Sequence, residues 1–123
     1  MGVPYRAHLN ERTLLNLPGF HDAAFVYVYV EDTSERELGR HPACGDDCKS
    51  CPWNFDPRLV LEIADCSRRI ELEFDIDSSE GRTNSLHKLD TLVSALRLFR
   101  EAFVSEFEPY DRRVRELEAL RQE

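Results

Sequence analysis

The spacing of apolar residues changes character twice along the chain. From Ala23 to Val30 β-branched and aromatic residues follow one another without a break, which predicts a strand. Val26, Val28 and Val30 fall on one side of it and Phe25, Tyr27 and Tyr29 on the other. Both faces are apolar, so the strand is expected to be central or covered twice. Arg58 to Ala64 reads as a second strand, Asp65 to Arg68 as a tight connection, and Arg69 to Asp77 as a third strand. In that third strand Ile70, Leu72, Phe74 and Ile76 alternate with charged residues, the pattern of a half-buried antiparallel strand with one wet face. Upstream, Thr13 to Leu17 suits a short strand, and Leu17-Pro18-Gly19-Phe20 is a turn signal.

From about Ser85 the period becomes helical, after a loop over Ser78 to Asn84 that holds cap residues. Leu86, Leu89, Val93, Leu96, Phe103, Phe107, Tyr110, Val114 and Leu117 recur at spacings of three and four once Arg100 is counted in the series. A continuous helix to Arg121 would be roughly 55 Å long. Pro109 interrupts it: without an amide hydrogen it forfeits the bond to the Ser105 carbonyl, so a kink or break near Glu108 is expected. Before the proline, Leu92, Ala95, Phe99, Ala102 and Val104 widen the stripe, as in a helix packed on a sheet. After it only a thin seam of Tyr110, Val114, Leu117 and Leu120 is left, which suits a helical partner.

The expected fold is therefore α+β. A small antiparallel sheet of three to five strands is packed by one long C-terminal helix, kinked or broken near Pro109, with a metal-clipped loop inserted between strands. Residues 1–108 form the domain and 109–123 a helical extension. A length of 123 residues with 41% apolar and 33% charged residues supports one core and excludes a wholly disordered chain.

Glu31 to Pro57 is a long polar excursion, and it holds three of the four cysteines. A structureless connection of that length needs something to tie it down. His41-Pro42-Ala43-Cys44-Gly45-Asp46-Asp47-Cys48-Lys49-Ser50-Cys51 spells H-x2-C-x3-C-x2-C. Zinc takes four N or S donors about 2.0 to 2.3 Å away, and close spacing lets one loop wrap them around the ion. The expectation is a structural Zn2+ held by His41, Cys44, Cys48 and Cys51 within a loop at about 36–57, with Cys66 as the alternative fourth ligand. Trp53 is expected to cover that loop. Free thiols and an iron–sulfur cluster are the competing uses of these cysteines.

A net charge of -8 repels polyphosphate, so direct nucleic-acid binding is not expected. No segment has the length and apolarity of a membrane span or signal peptide, and a cytoplasmic location follows as an expectation. Walker A, G-x-G-x-x-G, H-E-x-x-H, G-x-S-x-G and zinc-deaminase patterns are all missing from the sequence. Without a paired nucleophile and base, the expected function is a non-enzymatic protein-interaction module, an adaptor, regulator or inhibitor stabilised by zinc. Its partner-binding candidates are the aromatic row Phe25, Tyr27 and Tyr29, the acidic face of Glu71, Glu73 and Asp75, and the seam of Tyr110, Val114 and Leu117. The partner is another protein, or a second copy joined through the C-terminal helix. The alternatives are a small zinc metalloenzyme with an open coordination position, and an acidic mimic of nucleic acid.

Overall fold

The computed structural model describes residues 6–36 and 57–123. His41, Cys44, Cys48, Cys51 and Trp53 lie outside the described residues. The chain divides into two compact units, Met1–Asp77 and Ser78–Glu123. The first carries an antiparallel sheet in the order β1-β2-β3-β4, with β1 at Arg6–Leu14, β2 at Phe25–Asp32, β3 at Leu59–Asp65 and β4 at Arg68–Leu72. The second carries helices α1, Ser79–Ser105, and α2, Phe107–Arg121. The α+β class, the antiparallel sheet and the interrupted C-terminal helix agree with the sequence pattern.

β2 is central, with β1 on one side and β3 on the other. Register fixes the two faces of the sheet, because residues directly opposite one another share a face. Val26 stands opposite Ile63, Val28 opposite Leu61 and Val30 opposite Leu59, and Leu61 and Ile63 continue to Leu72 and Ile70. That face is aliphatic. The other carries Phe25, Tyr27, Tyr29 and Ala64, and among the described residues the buried apolar side chains, Ala24, Phe25, Tyr29 and Ala64, cluster at this row.

Two strand boundaries differ from the sequence pattern. The first strand is Arg6–Leu14 and overlaps the expected strand at Thr13 to Leu17 only in its last two residues. It is a fully exposed edge strand of mostly charged and polar residues with a bulge between Ala7 and Leu9, the kind of edge that resists pairing with a further strand. Composition hides it, because an edge strand gains its stability from its neighbour's ladder. β4 stops at Leu72 rather than Asp77. Its partner β3 begins at Leu59, so the ladder that sets Leu61 opposite Leu72 has nearly run out of rungs. The Asp77 amide then donates to Asp75 Oδ1 at 3.0 Å, bending the chain. The acidic face expected of Glu71, Glu73 and Asp75 is thus not one strand face: Glu71 lies on β4, and Glu73 and Asp75 follow it.

The helix also starts earlier than its apolar period. Ser78 caps α1, its Oγ accepting the Gly81 amide at 2.9 Å, which satisfies one of the four orphan donors of the first turn. The break falls at Glu106, whose amide bonds back to the Phe103 carbonyl at 3.2 Å, a tightened final turn. Pro109 then sits in the first turn of α2, where its missing amide hydrogen costs nothing. Phe99, Phe103 and Phe107 run across the break as a row, with centroids 6.1 Å and 5.1 Å apart.

Candidate functional site

Two connections meet at one end of the sheet. Between β1 and β2, Pro18 and Gly19 make the turn expected of them: Gly19 has φ +96° and the Phe20 amide donates to the Leu17 carbonyl at 3.1 Å, a type II arrangement that needs glycine. The Leu15 amide closes the connection onto the Ala24 carbonyl at 2.9 Å. Asn16 holds the segment after the turn, its amide nitrogen donating to the His21 carbonyl at 3.0 Å and lying 3.3 Å from His21 Nε2. Between β3 and β4 the hairpin has two central residues, Cys66 and Ser67, with Asp65 opposite Arg68. Cys66 has φ +57°, a position where glycine or asparagine is usual and other residues cost roughly 1 to 2 kcal/mol. The Cys66 amide donates to the Ala23 carbonyl at 3.2 Å and so ties the two connections together.

The result is a cluster of three different donors. Cys66 Sγ lies 3.7 Å from His21 Nε2 and 4.0 Å from Nδ1, and Asp65 Oδ1 lies 3.9 Å from Nε2. All three donor atoms fall within 4.8 Å of one another, and all three residues are exposed. Cys66 also lines an open depression of about 530 Å³, together with Arg12, Phe25 and Arg69.

Sequence spacing gave no hint of this cluster. His21 and Cys66 are 45 residues apart, and only the strand order brings the β1–β2 and β3–β4 connections to the same end. Cys66, proposed from the sequence as an alternative ligand for the cysteine-rich loop, stands at the far end of β3 from where that loop rejoins the sheet. Seven residues of strand separate Leu59 from Cys66, roughly 20 Å at the rise of an extended chain.

The roots of the loop are fastened at the other end by Glu31, another residue without a sequence signal. Its carboxylate is 2% exposed, Oε1 accepts the Arg58 amide at 2.8 Å, and Arg36 Nε lies 3.5 Å from Oε2. The Glu31 amide donates in turn to the Arg58 carbonyl at 2.9 Å. One buried side chain thus bridges the last residue described before the excursion and one of the first after it.

The aromatic row is not a bare platform. Phe25 and Tyr29 are buried. The Arg12 guanidinium sits 4.0 Å from the Phe25 centroid, Arg69 5.7 Å from the same ring and Arg58 5.1 Å from Tyr29, within the range where a cation is drawn to a ring face. Tyr27 donates its hydroxyl to Asn10 Oδ1 at 3.0 Å. Glu71 faces Glu62 across the β3–β4 pair, and Arg69 lies 3.5 Å from Glu62 to offset the repulsion. The hydrogen bonds from the Asp77 side chain and amide hold Asp75 below the ordinary carboxylate range. On α2, Tyr110 and Leu117 are exposed and Val114 is half-buried.

Among the described residues no helix is long and apolar enough to cross a membrane. In comparisons with protein-family models, curated proteins and solved structures, nothing matches this chain.

Proposed function

We propose that the chain is a non-enzymatic protein-interaction module whose working surface is the apolar seam of α1 and α2, with a second copy of the chain as its occupant. One observation carries this reading. Leu86, Leu89, Val93, Leu96, Phe103, Phe107, Tyr110 and Leu117 all stay exposed on helices that bury no residue. Contiguous exposed apolar surface of this kind marks sites of association. Its spacing narrows the class of partner: residues three and four apart over about five heptads present a seam to another helix rather than a pocket to a small molecule.

The charges along the seam are equivocal about a parallel pairing. In a parallel pair Arg113 meets Glu118, which helps, Glu106 meets Asp111, which opposes, and Arg100 occupies a seam position itself. Such residues specify register at a cost in stability. The proposal keeps a structural zinc ion on His41, Cys44, Cys48 and Cys51, supported by the spacing of those ligands, as the element that orders the excursion between β2 and β3.

Light scattering on the size-fractionated full chain tests the reading, together with native mass spectrometry, which also counts bound metal. The wild type is expected to be a dimer. The double variant Leu96→Glu, Phe103→Glu is expected to be a monomer with its helical circular dichroism retained. A wild type that stays monomeric at its highest soluble concentration overturns self-association, as does a double variant that still dimerises.

A further inference from the structure

We infer that His21, Asp65 and Cys66 form a metal site of their own, at the end of the sheet away from Glu31 and Arg58, that takes a zinc-like divalent cation. The inference is independent of the helical seam. Two ligands that share one tetrahedral zinc at 2.0 to 2.3 Å lie roughly 3.3 to 3.8 Å apart. The Cys66 Sγ to His21 Nε2 separation is 3.7 Å and that from Nε2 to Asp65 Oδ1 is 3.9 Å. All three donors lie within 4.8 Å of one another, so side-chain rotation brings them toward those separations.

A metal on His21 would replace the contact, 3.3 Å long, between the Asn16 amide nitrogen and Nε2. Nε2 is the atom shared by both short separations. The donor set then selects the metal. One thiolate, one imidazole and one carboxylate suit zinc or cobalt, whereas calcium and magnesium take oxygen ligands alone.

Little ordering remains for the ion to impose. The Cys66 amide bonds to Ala23, and Asn16 bonds to the His21 carbonyl, so both connections are fixed by the fold itself. A thiolate and a carboxylate balance the two charges of the cation. Three protein ligands leave a fourth position for water or a small anion, as in sites that do not close. Cys66 opens onto the depression lined by Arg12 and Arg69, which gives such an anion access.

The full chain with Cys44, Cys48 and Cys51 all changed to serine leaves Cys66 as the only thiol, and cobalt is the probe. One cobalt per chain is expected, with a thiolate-to-cobalt charge-transfer band. Cys66→Ser should abolish the band, and His21→Ala should weaken the affinity by at least about tenfold. No band in the triple variant, or one that His21→Ala leaves unchanged, overturns the site. If that variant does not fold, nitrogen-15 imidazole spectra of the wild type decide. Saturating zinc should shift the ring nitrogens of His21 and leave those of His8 and His87 in place. An unmoved His21 overturns the proposal.

Discussion

The sheet unit and the helical unit both carry long apolar runs, and they dispose of them in opposite ways. In the sheet, Ala24, Phe25, Tyr29 and Ala64 are buried. In α1 and α2 nothing is, although the helices contain three phenylalanines in a row. The cause lies in where each element finds its hydrogen bonds. A strand must pair with other strands, and pairing carries its side chains into tertiary contact whatever they are. A helix closes its bonds within its own segment, so its apolar stripe can stay unmatched until a partner covers it. The aromatic row of β2 is covered, and the helical stripe stays open to a partner.

The largest effect that would break this contrast comes from matched phenylalanines. Phe25→Ala removes a ring that is 7% exposed and covered by Arg12, and it should lower stability by about 3 kcal/mol or more. Phe99→Ala removes a ring that is 69% exposed, and in a dilute, dissociated sample it should change stability by less than about 0.5 kcal/mol. Urea unfolding followed by circular dichroism measures both. Equal losses would mean that the helical face is covered within a single chain.

Next in size is Glu31→Ala, which removes the buried acceptor of the Arg58 amide and the carboxylate beside Arg36. A loss of about 2 to 3 kcal/mol is expected, with faster proteolysis between residues 36 and 57. Glu31→Gln should recover part of it, because a neutral oxygen can still accept from Arg58. A variant as stable as wild type would show that the clasp contributes nothing.

Ser78→Ala tests the helical unit at its start and should cost about 1 kcal/mol. Faster amide exchange confined to residues 79–84 is the expected signature, since α1 ends far from this cap.

The smallest effect is electrostatic. The Ser34 amide, donating at 2.9 Å, and the Ser34 hydroxyl hold Asp32 below its ordinary value. A depressed carboxyl contributes stability at pH above its unfolded value and loses it as pH falls through the lower folded one. Acidification, not alkalinisation, should therefore weaken the end of β2. Carbon-13 titration should place the Asp32 midpoint below that of an ordinary aspartate, and Ser34→Ala should raise it part of the way back. An unchanged midpoint in that variant would remove the hydroxyl from the account.

The sequence was legible wherever periodicity alone decides. β2 and β3, the Pro18-Gly19 turn and the interruption of the helix near Pro109 all follow from local residue types. It misled where a neighbour decides. Arg69 to Asp77 alternates perfectly, yet β4 ends at Leu72 and the chain bends where the Asp77 amide donates to Asp75. Ser79 to Asn84 holds poor helix formers, yet the Ser78 cap and the long helix behind it recruit them into α1. Glu31 looks like any polar residue at the end of a strand until Arg36 and Arg58 converge on it.

By itself the sequence determined the α+β class, the central strand, the proline break, the heptad seam and the ligand spacing of the cysteine-rich excursion. Each of these depends on residues a few positions apart. Only the tertiary structure decided that His21, Asp65 and Cys66 stand together, that Glu31 fastens the roots of the excursion, and that arginines cover the aromatic row. Those arrangements join residues from different strands and connections, and antiparallel register, which no local pattern encodes, is what brings them within reach of one another.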